Sequence, residues 1–258
     1  MARIRLRRAG AMPPPLLSIG RGIVSLLLPP ACPACGRPVE RAPLPCRSCD
    51  DWLRRESLLR ATGADPDEPR LVAPFPFAGP VRELIHRTKY QGDRGAARLL
   101  AAWMADAWMR STAGAAGALP GVAAGIAAAG AEPAVLVPVP LHRTRRRERG
   151  FNQSERLARE VARWTGSAVA TDLLVRLRAS SSQTRLEIPA RRAAVHGAFR
   201  AARPPSSPAP APALFVLVDD VWTTGATASE CLRALADAGW PGPFRILVAA
   251  RTLRRLPD

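Results

Sequence analysis

The chain has 258 residues, enough for one α/β domain of moderate size and a small additional module, and its 47% hydrophobic content gives ample material for a core. Its formal charge of +17, from 38 basic against 21 acidic residues, is too large for one anion pocket and implies a broad positive field. Lys89 is the only lysine, so an arginine-biased genome would explain part of that charge; aromatic residues make up 5%, which leaves no evident stacking surface for single strands.

At the start, Arg3, Arg5, Arg7 and Arg8 precede apolar residues 16–28 in the manner of a signal peptide. Arg21 and two glycines interrupt that stretch, it is too short to span a bilayer, and no small-residue cleavage site precedes the cysteines. Residues 1–30 are expected to form a basic, amphipathic segment packed on the next module. Peripheral membrane contact is the alternative, with no stable insertion, and the expected location is cytoplasmic. Cys32, Cys35, Cys46 and Cys49 follow as C-x2-C-x10-C-x2-C, two knuckles offering four soft thiolates to one tetrahedral zinc. Two disulfides are the competing reading, which the knuckle-like spacing disfavours. Few large apolar residues lie between 31 and 59, so a module of residues 31–60 could not fold alone, and four protein ligands make the metal structural.

Val81, Leu84 and Ile85 mark one helical face, and Leu99, Leu100, Trp103 and Met104 mark a second helix. Lys89, Tyr90 and Gly92 occupy the turn between them, where a lysine reads equally as a solvated loop residue. Residues 111–132, nearly all alanine and glycine, and the proline-rich 201–213 read as surface spacers. Residues 134–139 form a short apolar run, and Leu157 and Val161 mark an amphipathic helix from about Asn152. Between them Arg143, Arg145, Arg146, Arg147 and Arg149 form a cationic loop whose planar guanidiniums suit phosphate oxygens, and Gly150 would let the backbone approach a ligand. Taken alone, such a run is more often a solvated or nucleic-acid-binding surface. Residues 171–178 alternate as a strand does, and 179–184 are polar.

The most informative stretch is LFVLVDDVWTTGAT, residues 214–227. Leu214 to Val218 are five consecutive apolar residues, the mark of a strand buried on both faces of a parallel sheet. Asp219 and Asp220 stand at its carboxyl end, where open α/β sheets place their ligands. Thr223, Thr224, Gly225, Ala226 and Thr227 open a helical segment running to about Ala238, whose N–H groups and hydroxyls can hold a phosphate. Vicinal carboxylates can accept hydrogen bonds from two sugar hydroxyls, so the stretch reads as a site for a phosphorylated sugar. In a chain with that site, the arginine segment reads as a pyrophosphate loop. Cys231 reads as a buried core thiol. His86, His142 and His196 read as surface or structural residues, and no general base stands out.

The stretch 214–227 resembles the 5-phosphoribosyl 1-pyrophosphate (PRPP) signature of type I phosphoribosyltransferases. VPVPLHRTRRRERGFNQ followed by VDDVWTTGAT is similar to the ComF (ComFC/GntX-like) family. KYQGDR from Lys89 to Arg94, Arg176, Gln183 and an AVHGAF stretch ending at Phe199 also fit, so the resemblance covers nearly the whole chain from Leu28. One departure is that Ala194 and His196 stand where such sequences commonly show asparagine and arginine. The resemblance implies a type I phosphoribosyltransferase-like parallel sheet flanked by helices over residues 71–258, behind the N-terminal zinc module. It implies PRPP bound with Mg²⁺, with Asp219 and Asp220 on the ribose hydroxyls and residues 223–227 on the 5-phosphate. Arg149 and Gly150 would serve the pyrophosphate, and Lys89 would lie near the ligand. Residues 179–189, with Gln183 and Arg185, would close over the reactive carbon. Two functions follow as expectations. One is phosphoribosyl transfer to an unidentified acceptor; the other is non-catalytic PRPP or nucleotide binding and DNA binding in DNA uptake, with single-stranded DNA and a helicase-like competence ATPase as partners.

Overall fold

The computed structural model describes residues 30–39, 45–58, 70–112, 134–179, 195–202, 214–240 and 242–253. Helix α1 (Arg47–Glu56) begins directly after Cys46 and turns Cys49 and Leu53 inward. Two short strands follow, β1 (Leu71–Val72) and β2 (Phe75–Pro76). Helix α2 (Gly79–His86) then buries Val81, Leu84 and Ile85, the apolar face that their spacing predicts. It continues into a π-helical turn, Arg87–Gln91, which Gly92 closes at φ 65°. The sequence suggested a simple turn there; the wider winding found instead is a feature that gathers at functional sites. Helix α3 (Arg94–Thr112) buries Leu99, Leu100, Met104 and Trp108, and Asp93 Oδ1 accepts from the Gly95 and Ala96 N–H groups at its start.

The remaining elements are β3 (Ala134–Pro138), α4 (Arg143–Arg149), α5 (Gln153–Thr165), β4 (Ala168–Val169), β5 (Leu174–Arg176), β6 (Phe199–Ala201), β7 (Leu214–Trp222), α6 (Ala226–Asp237) and β8 (Phe244–Arg251). The main sheet runs β4-β3-β7-β8, with β1 and β2 both paired to the far edge of β8, and every pairing in it is parallel. This is the parallel sheet flanked by helices that the motifs predict. All five residues of β3 and the first five of β7 are buried, as a sheet covered on both faces requires. One face packs against α2, α3 and α5 through Leu84, Trp108, Leu157, Val216 and Leu247. The other packs through Phe215, Leu217 and Ile246 against Cys231 and Leu235 of α6 and Phe199 of the antiparallel β5–β6 pair. Cys231 is thus a core thiol. Cys32, Ala34, Cys49 and Leu53 belong to the first of these clusters, and Trp52 lies over Gly79, where a Cβ would stand 2.6 Å from its Cε2. The cysteine module therefore shares a core with the sheet.

Strand β7 is longer than its apolar run. Its pairing with β3 ends at Val218, but its pairing with β8 continues to Trp222 opposite Arg251. Past Val218 one edge of β7 is thus open. From β3 the chain passes through α4 and α5 to β4 on one side, and from β7 through α6 to β8 on the other. The strand order reverses between β3 and β7, and the crevice outside their carboxyl ends is where such sheets bind ligands. Residues 1–29, most of both spacers and residues 180–194 lie outside the described residues. Among the described residues, no helix is long and apolar enough to cross a membrane.

Candidate functional site

Asp219 and Asp220 enter the crevice on the open edge of β7 and diverge, as successive strand residues do. Asp220 is buried, and its Oδ2 lies 2.8 Å from the Lys89 Nζ, delivered by the π-helical turn. Asp219 Oδ1 accepts from the Ser154 hydroxyl at 2.8 Å and from the Asp220 N–H at 2.9 Å. Ser154 is held in place by Asn152, which caps α5. The Asn152 Oδ1 accepts from the Ser154 N–H at 3.1 Å, and its Nδ2 donates to the Val139 carbonyl at 3.0 Å. One network thereby ties the end of β3, the start of α5 and the acids of β7. Burial, and then the Asp220 charge, push the Asp219 carboxyl up to about 7 against the Ser154 hydroxyl, the Asp220 N–H and Lys89. Burial opposes the Lys89 charge too, but the two carboxylates outweigh it and hold the ammonium above its ordinary value.

Beyond the acids, Thr223–Gly225 form the turn and α6 starts at Ala226, three residues later than the sequence suggests. Gly225 sits at φ 76°, and a Cβ there would stand 2.5 Å from Trp222 Cζ2, so glycine is required twice over. Asp219, Trp222, Thr223, Gly225 and Thr227 line a cleft floored by Leu217, Ile246 and Val248. The first turn of α6 contains no acid, which leaves its N-terminal N–H groups suited to an anion.

The arginine segment is a helix, α4, and not a loop. His142 caps it through Nδ1, which accepts from the Thr144 N–H, and Gly150 closes it at φ 74°. A Cβ at Gly150 would meet nothing within 4 Å, so this glycine serves the left-handed cap and not a close approach. Arg149 donates to Gln153 Oε1 at 3.1 Å, and its Cζ lies 5.1 Å from the centre of the Tyr90 ring. The structure thus brings together Asp219, Asp220 and Lys89, with Arg149 joined to them through the π-helical turn. Arg176 lies over Phe199 at 5.0 Å, its guanidinium pulled below its ordinary value by burial and then by Arg145. Gln183, Arg185 and Ala194 lie outside the described residues. His196 is exposed, with its Nδ1 3.4 Å from Glu230 Oε1. Glu230 also accepts from the Gly197 N–H at 2.7 Å, and Arg233 is the largest influence holding its carboxyl down at about 2.

Four cysteines form a second centre. The Sγ atoms of Cys32, Cys35, Cys46 and Cys49 all lie within 4.8 Å of one another, and all four thiols are free. The Cys35 and Cys46 sulfurs are 3.5 Å apart, well beyond a disulfide at about 2.05 Å. They approach the spacing of about 3.8 Å that tetrahedral thiolates at 2.3 Å from zinc would have. The Cys46 N–H donates to Cys32 Sγ at 3.3 Å. Burial pushes the Cys32 thiol up, but backbone N–H groups of Cys35, Cys46 and Ala34 outweigh it and bring it to about 7, towards the thiolate a metal needs. This cluster could hold a zinc ion. Arg87 reaches it by donating to the Pro33 carbonyl between the first two cysteines, and also pairs with Asp93 at 2.6 Å.

Sequence reasoning assigned no site role to Ser154, Asn152, Trp222 or Tyr90, although it began a helix near Asn152 and set Tyr90 in the turn with Lys89. The signal for the first two was available in FNQSE, where Asn before a helix with Ser two residues on is a capping pattern. Trp222 and Tyr90 gave none, because their roles depend on which residues lie across from them.

These features define a parallel α/β protein with an acidic pair at its topological switch point, a helix-opening turn beside it and a four-cysteine module sharing its core. No protein-family model matches the chain. It is 31% identical over 211 residues to the DNA utilization protein YhgH of Salmonella typhi, covering 81% of this chain and 78% of that one. Over 212 residues it is 31% identical to the protein of the same name from Escherichia coli (strain K12), with the same coverage. It is 28% identical over 215 residues to Competence protein F of Haemophilus influenzae, covering 81% and 80% of the two chains. The chain belongs to the ComF family.

Proposed function

We propose that the crevice binds PRPP, or a related phosphorylated ribose, and that the protein transfers its phosphoribosyl group to an acceptor. The observation that carries this reading is the Asp219–Asp220 pair at the switch point, next to the Gly225 turn that opens α6. In it, the two carboxylates accept hydrogen bonds from the ribose hydroxyls and hold the sugar. Thr223, Thr224, Gly225, Ala226 and Thr227 take the 5-phosphate, while Lys89 and Arg149 face the pyrophosphate. Gln183, which lies outside the described residues, completes the proposed ligand-binding set. Mg²⁺ prefers oxygen ligands, and Lys89 already lies on Asp220, so the chain offers it Asp219 and the ligand's own phosphates. When bound, that cation neutralises charge on the leaving pyrophosphate. The same proposal divides the chain into a basic segment at 1–30, a structural zinc module at 31–60 and a ligand domain at 71–258, in the cytoplasm.

The test is calorimetric titration with PRPP and Mg²⁺, using the parent and an Asp219→Asn, Asp220→Asn double variant. Binding by the parent that is lost in the folded variant supports the site and leads to an acceptor screen reading pyrophosphate release. A folded, zinc-loaded parent that does not bind PRPP overturns it. The relatives' names, DNA utilization protein and Competence protein F, together with the charge of +17, favour a second reading: ligand binding without turnover in a DNA-handling factor. Its partners would be single-stranded DNA and a helicase-like ATPase of DNA uptake. In that case affinity for DNA falls steeply with salt, and PRPP binds without pyrophosphate release.

A further inference from the structure

The π-helical turn that delivers Lys89 to Asp220 also turns the next residue outward. Tyr90, the only tyrosine of the chain, is 61% exposed, the most exposed large hydrophobic among the described residues. Packing does not need it, yet it is well framed. The His86 ring, one helical turn earlier, lies 4.6 Å away and tilted by 46°. The Arg149 guanidinium lies 5.1 Å from the ring centre and is steadied by Gln153. The turn itself is fixed by Arg156, which donates to the Gly92 carbonyl at 2.7 Å and stacks on Phe151 at 3.8 Å. An exposed aromatic ring on a fixed backbone, with a guanidinium over it, offers an aromatic and cationic platform to a flat heteroaromatic ring that carries phosphate.

We propose that Tyr90, framed by His86 and Arg149, is a stacking site for a nucleobase. A low aromatic content argued against a stacking surface, but one exposed ring suffices for one base. The proposal rests on the phosphoribosyl reading only for its position beside a ribose site. The base can come from a free nucleotide whose ribose the acid pair holds, or from a nucleotide within a single strand.

With one tyrosine, incorporation of ring-fluorinated tyrosine gives a single fluorine resonance that reports on this position. The zinc-loaded full chain is titrated with adenosine 5′-monophosphate, a single-stranded deoxyadenosine oligonucleotide, an abasic strand of equal length and ribose 5-phosphate. The expected result is that a base-bearing probe moves the resonance while the abasic strand and ribose 5-phosphate leave it in place. Tyr90→Ala then weakens that probe by about five- to hundredfold, and Tyr90→Phe retains it. Movement by the mononucleotide that is lost in Asp219→Asn, Asp220→Asn identifies a free nucleotide; movement by the strand that survives there identifies a single strand. A resonance unmoved by either base-bearing probe, movement that the abasic strand or ribose 5-phosphate reproduces, or an unchanged Kd in Tyr90→Ala for the probe that moves it overturns the proposal. Ribose 5-phosphate separates the two readings. If it binds and Tyr90 stays silent towards bases, stacking alone fails; if it does not bind while the strand moves Tyr90, the ribose site alone fails.

Discussion

Replacing Lys89 with methionine keeps most of the side chain's length and removes its charge from the acid pair. The ammonium stands 2.8 Å from Asp220 Oδ2, with the two side chains 26% and 8% exposed. Removing one partner of a buried pair costs about 3–5 kcal/mol, and partial exposure of the lysine reduces this to about 2–3 kcal/mol. The effect depends on pH through Asp219, whose carboxyl is already raised to about 7 by burial and by Asp220, with Lys89 among the groups holding it down. A raised carboxyl makes the folded state bind more protons than the unfolded one. Its contribution is fully present below the unfolded value of about 4 and is lost as pH rises through the folded value. Without Lys89 the folded value rises further, so the loss extends to higher pH. The contribution of Lys89 itself, also raised, is fully present below its unfolded value of about 10.4 and constant across this range. At about 2–4 °C per kcal/mol, Lys89→Met should lower Tm by about 5–10 °C near pH 8.5 and by about half that near pH 5.5. Thermal melts of zinc-loaded protein followed by circular dichroism measure this. Equal losses at both pH values, or an undiminished Tm near pH 8.5, would refute the view that Lys89 neutralises the pair.

Gly225→Ala places a Cβ 2.5 Å from the Trp222 ring at φ 76°; it should cost about 1–3 kcal/mol in urea denaturation and weaken ribose 5-phosphate binding in calorimetry at least about tenfold. Native mass spectrometry should find one zinc per chain, and chelation should lower Tm for the whole chain in one transition, because Cys32, Cys49 and Leu53 lie in the core shared with α2 and α3. A separate low-temperature transition would instead mark the module as independent. Glu230→Gln should destabilise by about 1 kcal/mol at neutral pH. The Glu230 carboxyl is held down at about 2, so its contribution is present above its unfolded value of about 4.5 and fades as pH falls through about 2. Urea midpoints of parent and variant should therefore converge at the acid end.

The sheet was legible because a strand buried on both faces can only be a continuous apolar run, and residues 134–139 and 214–218 are such runs. The acid pair was legible because a charge cannot continue that run without a reason. What was hidden depends on partners distant in sequence. The extension of β7 to Trp222 follows from the length of β8 and not from residues 219–222. Seven charged or polar residues in a row from Arg143 suggested a loop, but with no side chain required inside, α4 needs only the His142 cap and the Gly150 close. The spacing of the cysteines announced a cluster, whereas their membership in the common core depends on Trp52 meeting Gly79, a contact that no local pattern encodes.

The π-helical turn explains why the cysteine module and the acid pair occur in one fold. Five residues wound wide direct three consecutive odd positions to different places. Arg87 reaches the Pro33 carbonyl in the first knuckle and Asp93 at the start of α3, Lys89 reaches Asp220, and Gln91 leads into Gly92, whose carbonyl Arg156 holds from α5. An ordinary α-helical continuation of α2 would advance each of these side chains by 100° per residue and could not keep all of these contacts. The lysine that neutralises the site is therefore positioned from a backbone whose other end is held by the cysteine knuckle. Disorder in the knuckle would reach Asp220 through two side chains of one turn, without any contact between the thiols and the crevice.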